Sequence, residues 1–162
     1  MRMDLVDEIV IDWSLQRPDI DCSGKAIVCR ILRFYSYYLS VLEKSLKPLR
    51  IAPNVFSVLV TIRRKGKEAE INVKTLMQEV LVTSGAMSNL LNRLIDAGLI
   101  TKRPDTNDAR SMLVQLTSKG LEIIEKAMEM QAACERKLTC RLTQEEREQL
   151  SLLLKKIQPE DF

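Results

Sequence analysis

Histidine is absent from the 162 residues, which removes both the commonest general base near neutral pH and the commonest ligand of transition metals. No metal or cofactor site is read from what remains. Ser84, in the run TSGA, has no histidine to activate it, and no pair of carboxylates stands apart from ordinary helical surface charge. An enzyme is therefore not expected. Glycine and proline number five each, so long regular elements should dominate. The four cysteines, Cys22, Cys29, Cys134 and Cys140, form no C-x-x-C pair and are read as small buried apolar residues in a reducing compartment. Long apolar runs are lacking too. The longest stretch without a charge, 80–92, has thirteen residues, against the roughly 18 or more of a membrane helix. The opening MRMDLVDE carries acids where a secretory signal carries a cation and an apolar run, so a cytoplasmic protein is expected.

What is present is the balance of a globular chain, 46% apolar and 29% charged, long enough for one domain with helical additions. The net charge of +3 is unevenly spread: −4 over residues 1–21, +8 over 22–66, +1 over 67–120 and −2 over 121–162. A basic segment between acidic ends suits a polyanionic partner, and equally a solvated helix face.

Leu5, Ile9 and Trp13 recur every four residues on a first helix that Pro18 closes. From Ser23 to about Lys47, Ile27, Ile31, Phe34, Tyr38 and Leu42 keep a helical period, with Pro48 ending the run. Pro53 opens a third helix, from Asn54 to about Arg64, that Gly66 terminates. Glu70-Ile71-Asn72 is long enough only for an edge strand, and VKTLMQEVLV reads as a compact helix. Thr83 or Ser84 then caps a helix from Ser84 to Ala97. It is polar at Ser84, Ser88, Asn89, Asn92 and Arg93, apolar at Met87, Leu91, Leu94 and Ile95, and stopped by Gly98. Residues 99–103 and 112–116 form a β-hairpin around the charged loop PDTNDARS. Thr117 caps a helix to about Cys140, and Thr143 with Glu146 forms a capping box before a last helix whose apolar face is Leu150, Leu153, Leu154 and Ile157.

This order predicts a mainly α fold with a small β-hairpin wing: a winged helix-turn-helix with N- and C-terminal dimerisation helices. The expected division is 1–50 for N-terminal dimerisation helices, 51–118 for a DNA-binding lobe and 119–162 for C-terminal dimerisation helices. The block TSGAMSNLLNRLIDAGLITKRPDTNDARSMLVQLTSKG, residues 83–120, resembles the core of the MarR family of bacterial transcription regulators. The likeness lies in the small-residue helix start, the DAGLI elbow, the D-x-R wing and the LT-x-x-G exit, and extends loosely from Ile27 to Ile157. It implies a homodimer that binds near-palindromic operator DNA and is usually released by a small molecule; a repressor is expected.

A recognition helix presents short hydrogen-bonding side chains to base edges from its first turns. Ser84, Ser88, Asn89, Asn92 and Arg93 meet that need, and Gly85 and Ala86 let the backbone approach phosphates. In the wing, Arg110 is the cation that reaches a narrow minor groove, and Asp108 holds the loop through backbone amides or Arg110 itself. Lys102 and Arg103 at the wing base contact phosphates. Trp13, Tyr35, Tyr37 and Tyr38 cluster in the first two helices, either as dimer-core packing or as the wall of a ligand crevice. In that crevice Trp13, Arg30, Arg33 and Tyr38 would hold an anionic aromatic effector. DWSLQRPDID resembles the N-terminal extension of the family's urate-responsive branch, with Trp13 on that branch's tryptophan. Ser57, Leu90 and Lys102 stand where it carries an aspartate and two arginines, so the effector is left open. The alternative control input is a thiol: Cys22 and Cys29 lie where the hydroperoxide-sensing branch keeps its reactive cysteine, with Pro53 and Phe56 in place of that branch's tyrosines.

Overall fold

The computed structural model describes residues 3–80, 84–106, 108 and 111–158. The chain divides into two compact units, 1–41 and 42–162. In the first, α1 (Leu5–Gln16) starts at Asp4, whose carboxylate accepts from the amides of Val6 and Asp7 while the Asp7 carboxylate returns to the Asp4 amide. That reciprocal cap is written in the sequence as D-x-x-D, and the reading above missed it. α2 (Lys25–Leu46) begins in this unit and ends in the second. Arg30 on α2 reaches back to the carboxylates of Asp4 (3.0 Å) and Asp7 (2.7 Å), tying the two helices together.

The second unit is organised around α3 (Pro53–Arg64), which buries Val55, Phe56, Val58, Leu59, Thr61 and Ile62. It enters from a 3₁₀ turn at Lys47–Leu49, and Pro53 sits in its first turn, where a missing N–H is no loss. The Thr61 hydroxyl, buried on that helix, donates to the Ser57 carbonyl at 2.8 Å. β1 (Ile71–Asn72) leads into α4 (Val73–Val80), followed by α5 (Ser84–Asp96), β2 (Ile100–Pro104), β3 (Met112–Leu116), α6 (Ser118–Thr139) and α7 (Gln144–Ile157). The hairpin is joined by β1 into a three-stranded antiparallel sheet ordered β1-β3-β2, pairing Ile71 with Val114 and Ile100 with Leu116. α3 packs on α4, α6 and β3, and Leu59, Ile62, Leu76, Met87, Leu91, Leu94, Ile100, Val114 and Ile124 are fully buried.

The element boundaries agree closely with the pattern-based expectation. Thr117 caps α6, and Thr143 with Glu146 forms the box that opens α7. Ser84 is the first residue of α5, while the alternative cap, Thr83, lies outside the described residues. The cysteine reading needs correction: only Cys22 is buried, Cys29 and Cys134 are half-buried, and Cys140 is exposed. Cys22 precedes α2 and Cys140 caps the end of α6, while Cys29 and Cys134 lie within those helices, so place in the fold and not residue type decides this. The apolar stripe of α2 also fails to bury within the chain. Leu42 and Leu46 are covered, yet Ile27, Ile31 and Phe34 remain exposed. On α7 nothing is buried at all, and Leu150, Leu153, Leu154 and Ile157 face solvent. Among the described residues no helix is long and apolar enough to cross a membrane.

Candidate nucleic-acid interface

α5 is two-faced because its sequence is. Met87, Leu90, Leu91 and Leu94 are buried, and the positions between them, Gly85, Ala86, Ser88, Asn89, Asn92 and Arg93, are exposed. Leu90 belongs to the inner face, an apolar position the periodicity reading left out. The helix ends on Gly98, whose φ of +69° is the left-handed conformation glycine adopts without a steric penalty. Leu99 N donates back to the Leu94 carbonyl at 2.9 Å and Gly98 N to that of Ile95 at 2.8 Å, closing the helix with a Schellman turn.

That turn is locked to the start of α6. Thr117 N donates to the Leu99 carbonyl at 3.0 Å, and its hydroxyl donates to the Gly98 carbonyl at 2.7 Å while accepting from Gly120 N at 3.0 Å. Lys119 Nζ donates to the Ala97 carbonyl at 2.7 Å, placing a cation at the negative end of α5. Gly120 lies directly against Leu99, so that a Cβ there would stand 1.9 Å from the Leu99 carbonyl oxygen. The DAGLI and LT-x-x-G motifs, separate in sequence, are thus two halves of one knot that sets the angle between α5 and the hairpin.

At the hairpin base Lys102 is exposed. Arg103 is engaged: its guanidinium forms a two-pronged pair with Glu70, at 2.7 and 2.5 Å, which raises the arginine's pKa further. This bond spans from the segment before β1 across β3 to β2, a link no sequence pattern announced. Asn72 adds another, donating to the Ser111 hydroxyl while its carbonyl oxygen accepts from the Lys74 amide at the start of α4. In the loop, Asp108 accepts from Ser111 N through its main-chain carbonyl at 2.8 Å, and Ser111 in turn accepts from Asp105 N at 2.9 Å. Arg110 and the Ser84 side chain lie outside the described residues. At the far end of α4, Glu79 pairs with Arg64 and with Lys65 (2.8 Å), and the Lys65 ammonium first, then the Arg64 guanidinium, holds its carboxyl below the usual range.

Of the expected effector residues, Trp13 lines a cavity and the other three do not line it. Beside Trp13 is a cavity of about 420 Å³ lined by Ile20, Asp21, Cys22, Gly24, Lys25, Val28 and Cys29, without Arg30, Arg33 or Tyr38. Lys25 Nζ stands 5.3 Å from the centre of the Trp13 ring. Arg30, satisfied by two carboxylates and the Ala26 carbonyl, already has its anions. Arg33 is exposed and Tyr38 half-buried, both on α2.

A winged helix-turn-helix with this hairpin and exit defines a class, and comparison with known proteins gives the family. Residues 51–111 match the MarR family model. The multiple antibiotic resistance protein MarR of Salmonella typhimurium is 36% identical over 120 residues, 74% of this chain and 81% of that protein. The transcriptional regulator PecS of Dickeya dadantii is 26% identical over 153 residues, 94% of this chain and 92% of that one. A crystal structure of mutant E. coli MarR complexed with operator DNA superposes with a TM-score of 0.73 at 30% identity, covering 97% of this chain and all of that one. The chain belongs to the MarR family of DNA-binding transcription regulators.

Proposed function

We propose that this protein is a dimeric, sequence-specific repressor that binds an inverted-repeat operator and is released by a small anionic aromatic effector. The observation that carries the DNA-binding half is the outer face of α5, where Ser88, Asn89, Asn92 and Arg93 are all exposed while every large apolar residue of that helix but the half-buried Ile95 is fully withdrawn. Such a face, beside a hairpin, offers donors and acceptors to a major groove. Ser84 joins them at the first turn. Arg110 at the wing tip enters the minor groove, with Asp108 shaping the loop. Lys102 neutralises phosphate. Arg103 does so only by exchanging Glu70 for a phosphate, one anion for another, so its contribution is the smaller.

The exposed apolar faces of α1, α2 and α7 support the dimer. Leu15, Leu32, Tyr35, Tyr37 and Leu152 are each more than half exposed in the single chain, and apolar surface on this scale marks an association face. The effector is assigned to the cavity beside Trp13, where Lys25 supplies the cation and the indole the stacking surface. Cys22 and Cys29 line that same cavity, which favours thiol oxidation there as the second reading. A variant with all four cysteines replaced by alanine or serine keeps DNA binding and its response to aromatic carboxylates if the first reading holds. Retained DNA binding with complete loss of regulation selects the thiol instead.

Footprinting on the operator tests the main proposal. The expected result is two protected half-sites about 34 Å apart, one turn of DNA, related by an inverted repeat. Affinity falls steeply with added salt as phosphate contacts release counterions. A single unpaired half-site, or a flat salt response, contradicts it.

Gly85 gives a sharper check. No atom lies within 4 Å of the position a Cβ would take there, so the fold itself does not require glycine. Gly85→Ala is expected to leave the free protein as stable or up to about 1 kcal/mol more stable, through helix propensity. It should nevertheless weaken operator binding, because the added methyl stands between the helix start and the phosphate. Unchanged operator affinity would remove Gly85 from the interface.

A further inference from the structure

The charge excess of +8 over residues 22–66 lies outside α5 and the wing, and the structure shows where most of it goes. Arg30 pairs with Asp4 and Asp7, Arg63 with Glu125, and Arg64 and Lys65 with Glu79. Lys25 sits over Trp13. Apart from Arg33, the cations left over are Lys44, Lys47 and Arg50, none of which makes an ion pair with a described residue, and all three line one basin of about 730 Å³. Its other walls are Glu43, Ile51 and Ala52. The volume is that of a small-molecule site, and four of its six lining residues carry charge.

Lys44 and Lys47 at the end of α2 complement the helix dipole, which accounts for two of the three. It does not account for Arg50, which follows the helix and holds a φ of +55° that glycine or asparagine adopts more easily. Three like charges around one concavity, opposed by the single carboxylate of Glu43, repel one another, and an anion seated among them removes that repulsion. A guanidinium flanked by two ammonium groups matches the oxygens of a phosphate or carboxylate. No aromatic side chain lines the basin, so it differs in kind from the cavity beside Trp13.

We propose that the Lys44, Lys47 and Arg50 basin binds a compact, non-aromatic polyanion, a phosphate ester or polycarboxylate, at a site distinct from the Trp13 cavity. The binding rests on the second unit alone. Only its use as a control input rests on the protein being a regulated DNA binder.

The test is calorimetric titration of the DNA-free, full-length protein with pyrophosphate, citrate and benzoate. Pyrophosphate or citrate is expected to bind, and benzoate not to compete with either. Arg50→Gly combined with Lys47→Ala should weaken that binding by about tenfold or more, with an unchanged or higher Tm because glycine suits the left-handed position. Arg93→Ala combined with Lys102→Ala, on the DNA face, should leave polyanion binding intact. Absence of binding by both polyanions, equal binding by the basin variant, loss in the DNA-face variant, or displacement by benzoate each overturns the proposal. Failure of the operator reading would appear separately, as missing operator protection with polyanion binding preserved.

Discussion

Gly120→Ala is expected to destabilise the protein by about 3 kcal/mol, at the upper end of what overpacking costs, and to lower Tm by roughly 6 to 12 °C for a chain of this size. The alanine methyl would have to occupy space 1.9 Å from the Leu99 carbonyl oxygen and 2.9 Å from its carbon. Those are backbone atoms, held in turn by the Thr117 amide and by the Schellman turn at Gly98, so neither side can yield by rotating a side chain. Relief requires α6 to move away from the α5–β2 elbow, which also disturbs the geometry between recognition helix and wing. Operator affinity should therefore fall along with stability. Gly24→Ala is the control: nothing lies within 4 Å of its added carbon, and its effect should stay within about 0.5 kcal/mol. Both variants need the same protein concentration, since the Tm of an associating protein depends on it. Equal melting temperatures for the two would mean that the contact at Leu99 does not hold in solution.

The second large effect separates the two faces of α5. Leu91 is 1% exposed, and Leu91→Ala should cost about 2 to 5 kcal/mol of folding stability through lost burial and the cavity left behind. Asn89→Ala and Arg93→Ala, one helical turn apart on the exposed face, should barely affect stability. Each should instead reduce discrimination between operator and scrambled DNA by roughly 1 to 3 kcal/mol. Chemical unfolding and competitive DNA binding, run on the same preparations, read the two quantities independently. Normal discrimination by both surface variants, with the dimer intact, sinks the assignment of this face to the major groove.

The lysine and arginine positions show where reading residues in order reaches its limit. Arg103 and Arg30 were both expected to meet external anions, and both meet internal carboxylates, of Glu70 and of Asp4 and Asp7. Glu70 is thirty-three residues from Arg103, and Asp4 twenty-six from Arg30. Pairings at that separation depend on how strands and helices are laid side by side, which local pattern does not encode. The cysteines illustrate the same limit. Residue type suggests burial for all four, but only Cys22, in the segment before α2, is buried.

Short-range chemistry, by contrast, was largely legible, the Asp4–Asp7 cap of α1 being the exception. Prolines that cannot continue a helix, glycines that accept a left-handed turn, the Thr117 cap and the Thr143 box act within one or two turns of chain. The elements therefore begin and end where those residues stand. The polar and apolar faces of α5 follow from period alone. Only the tertiary structure decided that β1 joins the hairpin, that Gly120 is required by Leu99, and that Trp13 shares its cavity with Lys25 and two cysteines. It also decided that three cations with no ion pair to a described residue share a basin. The pairing of β1 and the Gly120–Leu99 contact join residues far apart along the chain and form once the α3-centred core is buried, whereas the Trp13 cavity forms within the first unit and the basin cations, three residues apart, are gathered by the turn that follows α2.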